Sequence, residues 1–343
     1  MKKTTLLIVL PLLIMFSCHN NIEYSDELFP INSNGLCGYI NCKGEMVIPP
    51  QFDDADFFYD DVALVYIDGN IGYINKKGVF IVRPKYHCGT FFSDGHAFVM
   101  KDDNVSPIEC IDKEGNICFC LPHKWVVQSF FEGRAQFANE DSLGGYISPE
   151  GAMVGDMDYN DGKPYSEGMA AVKKNGLWGF IDKNGVLKIP FRFKGVDTFC
   201  EGLAAASEKK LWGVIDKKGH WVIPPKFDDI GRFGEGKCAV KEGEYWGYIN
   251  TDGDLVVPPQ FQNAFFYSEG LACVMVDGKW GFINNNGELV IKPQYDAPAA
   301  FYNDIAFVDE DGKKYLIDKN GTIISDKRHQ GTSVINYSYQ IPY

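Results

Sequence analysis

Basic residues are scarce in this chain: 33 Lys and Arg stand against 46 Asp and Glu over 343 residues, for a net charge of −13. No cluster of Lys or Arg offers a footprint for phosphates, so nucleic acid is not an expected partner, nor is an anionic lipid surface bound through basic side chains. Gly-x-Ser-x-Gly, His-Glu-x-x-His and a phosphate loop are all missing, and no Gly-x-Gly-x-x-Gly follows a strand. Neither a catalytic residue nor a cofactor is expected. Ten cysteines are present, yet no Cys-x-x-Cys occurs; Cys118-x-Cys120 comes nearest. They recur at no single repeat position, so buried free thiols are expected rather than disulfides or metal. The one long apolar run, Leu6 to Phe16, is too short for a comfortable membrane span.

What the chain does have is a period. Trp178-Gly179, Trp212-Gly213, Trp246-Gly247 and Trp280-Gly281 fall 34 residues apart. Positions equivalent to Gly179 are Gly38, Gly72, Glu109, Gly145, Gly213, Gly247, Gly281 and Tyr315. Six residues after each stands a glycine, among them Gly185, Gly219, Gly253 and Gly287. Three residues after each stands Asn, Asp or Ser, from Asn41 to Asp318. Such a period marks a tandem repeat.

The pair Asx…Gly reads as a hairpin loop: Asx opens a type I turn and Gly takes the left-handed position. Asn250-Thr251-Asp252-Gly253-Asp254 has the look of a calcium loop but sits on this hairpin and lacks the terminal bidentate Glu. A proline follows in most copies (Pro49-Pro50, Pro84, Pro190, Pro224-Pro225, Pro258-Pro259, Pro293) and is expected to end the strand. An aromatic column comes next, from Phe52 to Tyr295, with His123 and His329 in the two copies that break it. A turn with an acidic residue then recurs, as in Glu167-Gly168 and Glu201-Gly202. A catalytic pair is needed once and not in seven copies, so these carboxylates read as turn residues. The strand glycine of Trp-Gly marks a close approach, for which an aromatic ring is the expected occupant.

The expected fold is therefore all-β: about nine units of three antiparallel strands over residues 36–326, stacked as an open, curved, solenoid-like array, with closed propeller-like rings as the alternative. Residues 327–343 form a tail, expected to dock on the last unit through Tyr337, Tyr339 and Tyr343.

Glu201 to Asp228, Glu-Gly-Leu-Ala-Ala…Leu-Trp-Gly-Val-Ile-Asp-Lys-Lys-Gly…Val-Ile-Pro-Pro-Lys-Phe-Asp, resembles the WG (KWG) repeat family of bacterial proteins. The resemblance implies a β-rich tandem repeat of secreted or envelope proteins with no general catalytic activity. It supplies no active-site residues.

Residues 1–18 read as a signal segment: basic Lys2 and Lys3, the apolar run, then Met15-Phe16-Ser17-Cys18, similar to a bacterial lipobox whose Cys18 would be lipidated. The membrane would then be met only through this lipid, with residues 19–35 as tether. The array weakens between Asp102 and Lys163, where the Trp-Gly and the proline are lost. A specific site is expected there, with Asp102, Asp103, His123, Trp125, Glu140 and Asp141 as candidates. The functional expectation is a non-catalytic binding or scaffold protein of the cell envelope with a protein or glycan partner; a glycan-binding module or hydrolase sited at 102–163 is the alternative.

Overall fold

The computed structural model describes residues 27–102, 106–141 and 143–324, together with the backbone of 332–333. Cys18, Asp103, His329 and the three tail tyrosines lie outside the described residues. The described chain folds into nine antiparallel sheets in sequence order, eight of four strands and the ninth of two. The tandem β-repeat expected from the period is present, with one strand more than expected in eight of the nine sheets. The extra strand is the segment between the aromatic column and the acidic turn, as in Asp229–Gly234 of the seventh sheet.

Each Asx…Gly hairpin closes as its residues dictate. Asp216 Oδ1 accepts the amides of Lys218 (2.9 Å) and His220 (2.8 Å), and Gly219 N donates to Asp216 O (2.9 Å) with φ at +81°. Asn250 makes the same bonds to Asp252 and Asp254, so its loop is a hairpin whose ligand-like oxygen is already engaged. The carboxylates of Asp182, Asp216 and Asp318 are held below their usual range by these bonds, against a desolvation that opposes them.

The anchor glycine answers first to backbone, and an aromatic ring comes second where it is near at all, as Phe191 Cδ1 is, at 3.2 Å from a Cβ on Gly179. A Cβ on Gly213 would lie 2.5 Å from Ile223 O and 2.7 Å from Pro225 N; on Gly247, 2.5 Å from Val257 O and 2.7 Å from Pro259 N. The prolines do not end the third strand, as the sequence suggests. They sit inside it, in Trp221–Phe227 and Leu255–Phe261, at a register shift that pushes the strand onto the glycine. This strand is the free edge of its sheet, where proline removes a donor and discourages pairing with another chain. Beyond the bulge the strand rejoins, and the aromatic column pairs with the Trp position: Trp178 with Phe193, Trp212 with Phe227, Trp280 with Tyr295. In the third unit that partner is Leu121, opposite Ile108; His123 lies outside the ladder and is exposed. The edge strand of the same unit, Ile117–Leu121, holds no proline, and there Glu109 replaces glycine.

The units join by a repeated set of contacts. The core lies between sheets: Trp178 shares a cluster with Val196 and Phe199 of the next sheet, and Trp246 with Ala264 and Tyr267. Each hairpin glycine rests on the third strand of the preceding unit, Gly253 on Ile223 and Gly287 on Val257. The recurring carboxylates are staples. Glu132 accepts Glu167 N and Gly168 N at 2.7 Å each; Glu167, Glu201 and Glu235 accept Gly202 N, Gly236 N and Gly270 N at 2.8–2.9 Å. Lys183 and Lys217 from the next unit's hairpin pair with Glu132 and Glu167. These residues hold φ near +53 to +56°, unfavourable for Glu, which the bond to the next unit offsets. Glu201→Ala, which keeps the strained backbone and removes the acceptor, is expected to cost about 1–2 kcal/mol in urea denaturation. Glu201→Gly should cost less, because glycine relieves the strain.

The two ends meet, so the array is the closed alternative rather than an open solenoid. Phe29, Ile31 and Ile40 of the first sheet share a core cluster with Ile305 and Leu316 of the ninth, and Phe29 lies 5.8 Å from Phe307. Gly44 rests on Ile324, the hairpin-to-third-strand contact found at the other junctions. Thr332–Ser333 pairs with Asn32–Ser33 and adds a strand to the first sheet. It takes the place of the extra strand that other sheets receive from the chain preceding them. Closure removes the exposed end faces that an open stack would leave unpacked.

Candidate functional site

The described cysteines are free, with Cys37, Cys110, Cys238 and Cys273 buried and Cys118 and Cys120 exposed. Burial raises the thiol pKa of all four buried ones, so they are unreactive fillers.

The junction between the fourth and fifth units departs most from the pattern. Glycine occupies four of its packing positions. Gly144 stands where regular units carry Trp, opposite Tyr159. Gly145 is the anchor. Gly155 stands where a neighbouring hairpin usually finds Ile or Val, so that Gly185 rests on backbone. Gly162 precedes by 34 residues Val196, which packs in the Trp178 cluster. The deleted side chains leave a cavity of about 90 Å³ that opens to solvent, lined by Gln136, Ala138, Gly144, Tyr146 and Tyr159 of the fourth sheet and Asn160, Asp161 and Gly162 of the fifth.

Strand alternation puts Gln136, Ala138, Gly144 and Tyr146 on one face, toward the fifth unit. By register the counterparts of Gln136 are Ala171, Ala205, Ala239 and Cys273, all buried and apolar or nearly so. Gln136 brings an amide in their place, and its Oε1 is buried without a hydrogen-bond partner. Leaving such an acceptor unpaired costs about 1–3 kcal/mol, which makes it a feature to be accounted for. Tyr146 Oη is committed: it donates to Lys163 O (2.6 Å), the inter-unit latch that Tyr39, Tyr73 and Tyr248 repeat. Burial pushes the phenol pKa of both Tyr146 and Tyr159 up, so both are neutral at ordinary pH. Asp161 is exposed at the edge and Asn160 Oδ1 is occupied by Asn175 N (3.0 Å).

The residues expected from sequence surround this cavity without lining it. Asp102 is exposed in the third unit, where its carboxylate accepts Ser106 N and Oγ. Trp125 is half-buried and stacks on Phe137 at 4.7 Å and 10°, on the face of the sheet opposite Gln136, in the core between the third and fourth units. Glu140 pairs with Lys124 (2.8 Å), and Asp141 N donates to Asn139 Oδ1 in the turn leading to Gly144. The structure does not bring these residues into one constellation. Gly144 shows in the sequence as the lost Trp of the fourth copy, whereas Gln136 and Gly162 escape notice because a polar-for-Ala exchange and a lone glycine carry no motif. Their signal was available only by aligning the fourth unit to its neighbours.

The model of the WG containing repeat matches seven segments, residues 38–70, 71–104, 145–178, 178–212, 212–246, 246–280 and 280–313, passing over 105–144. No curated protein matches the chain. Among solved structures the fold is similar to one described as a eukaryotic initiation factor (TM-score 0.62, 11% identity, covering 87% of this chain and 95% of that one). BamB from Moraxella catarrhalis (TM-score 0.46, 9% identity, 78% and 98%) and Sqt1 from Saccharomyces cerevisiae (0.43, 11%, 67% and 81%) are more distant. The first likeness is one of fold alone. With more than half of its length matched by that repeat model, the chain belongs to the family of WG-containing repeat proteins.

Proposed function

We propose that this protein is a non-catalytic binding scaffold of the bacterial cell envelope, held by a lipid on Cys18, which recognises its partner at the junction of the fourth and fifth units. The observation that carries the reading is the cavity at that junction, where glycine stands in the Trp position of the regular units and Gln136 in place of their buried Ala. Pockets with few, convergent polar groups on a rigid frame are the usual form of a recognition site. The envelope address rests on residues 1–18 and the lipobox-like Ser17-Cys18. Of the cavity's lining residues Asp161 alone is a carboxylate, so hydrolysis by paired carboxylates has no second group to use.

Affinity capture from detergent-solubilised envelopes, with the full chain as bait, tests the reading. A partner held by the natural chain should be lost when residues 102–163 are exchanged for regular units. Equal recovery by both baits would place recognition elsewhere.

A further inference from the structure

Building on that reading of the cavity as the recognition site, we infer that it accepts the edge of a planar aromatic ring, in the slot where regular units place their own indole.

The geometry of the regular units defines the slot. Trp178 lies opposite Phe193 and beside Lys173 on its own sheet, and packs in a cluster with Val196 of the next. Trp280 lies opposite Tyr295 and beside Met275. In the fourth unit the corresponding neighbours are all present, Tyr159 opposite, Ala138 beside, Gly162 across the junction; the indole is not. The fourth unit cannot supply it, since a Cβ on Gly144 would collide with Phe137 O. The vacated space is thus built into the backbone and keeps aromatic walls in Tyr146 and Tyr159.

Three features select the occupant. The two phenol rings favour a flat π surface in offset or edge contact. Tyr146 Oη, the nearest protein hydroxyl to Gly162, is already spent on Lys163 O, which leaves the ring face rather than the hydroxyl to meet an occupant. Asp161 at the mouth disfavours an anion. The volume sets the depth. A cavity of about 150 Å³ takes up a whole benzene, so about 90 Å³ admits one edge of a ring while the rest sits in the opening. Three waters of about 30 Å³ each would also fill it, and these are the competing occupant.

Indole is the probe, titrated calorimetrically into the full-length protein, with indole-3-acetate as the anionic comparison. Saturable one-to-one binding of indole, weakened at least tenfold for the acetate, is the expected result. Ala138→Leu, which places a side chain in the slot, should abolish it, whereas Met275→Leu at the equivalent position of the eighth unit should leave it unchanged. Should Ala138→Leu fail to fold, Tyr159→Leu removes the aromatic wall opposite Gly144 and should weaken indole at least tenfold. No saturable binding, or binding indifferent to Ala138→Leu and Tyr159→Leu, overturns the inference. An envelope partner lost from the Ala138→Leu bait but undisturbed by saturating indole also overturns it, while leaving the junction as the recognition site.

Discussion

Gly247→Ala is expected to destabilise the protein by about 3 kcal/mol in chemical denaturation. The added Cβ would lie 2.5 Å from Val257 O, 2.7 Å from Pro259 N and 2.8 Å from Pro258 C, all backbone atoms. Nothing there can swing aside as a flexible side chain would, and overpacking of that kind costs about 1–3 kcal/mol or more. The matching control is Gly231→Ala, in the first strand of the same sheet. Its Cβ would meet Ala239 Cβ at 3.6 Å, an ordinary contact, and its φ lies outside the left-handed region. That substitution should be neutral or stabilise by about 0.5 kcal/mol through the unfolded chain. If both variants lose stability equally, close approach of the proline bulge is not why glycine stands at the anchor.

The second large effect concerns Asp56, in the extra strand of the second sheet. It is 8% exposed, and burial, with the neighbouring Asp54 adding to it, lifts its carboxyl from 3.8 to about 7 despite a bond from Phe57 N. The sign follows from proton uptake. Between about pH 4 and 7 the unfolded chain has released this proton while the folded protein retains it, so folding is progressively disfavoured as pH rises and the penalty is complete above 7. At about 1.4 kcal/mol per unit the full penalty approaches 4 kcal/mol. Asp56→Asn should therefore leave stability little changed near pH 4, gain on the natural protein up to pH 7, and hold a constant advantage beyond. Urea midpoints across pH 4–8.5 measure it. A variant advantage independent of pH would mean that the carboxylate ionises freely in the fold.

How much of this was legible beforehand depends on whether a residue's partner lies nearby in sequence. The hairpin is local: Asp216, Lys218, His220 and Gly219 make their bonds within five residues, and the Asx…Gly spacing was sufficient to read them. The anchor glycine was legible as a close approach, but its occupant lies on a third strand whose bulge no spacing announces. The extra strand was missed for two reasons: in some units, as Asp161–Gly162 and Gly195–Val196, it is only two residues long, and in others, as Asp229–Gly234, a register shift breaks its alternation. Closure was the least accessible. It depends on the accumulated angle between sheets, and its evidence, Ile40 against Leu316 and Gly44 against Ile324, joins residues nearly the whole chain apart.

The site divides the same way. The sequence located the stretch where the repeat fails, and the cavity lies within it. The residues singled out were those with conspicuous chemistry, His123, Trp125 and the carboxylates. The structure gives Trp125 to the core and Glu140 to Lys124, and puts the vacancy where side chains were removed. Where regular junctions are filled by Trp, Ile and Val, the proposed binding site is made by subtraction.

The central claim, that the regular units are frame and the breach between the fourth and fifth is the site, comes down to one comparison. Envelope partners are captured in parallel with the natural chain, Ala138→Leu and Met275→Leu, and the retained partner is quantified. The account predicts loss with Ala138→Leu and full retention with Met275→Leu. Retention by Ala138→Leu, or equal loss with both, would contradict it.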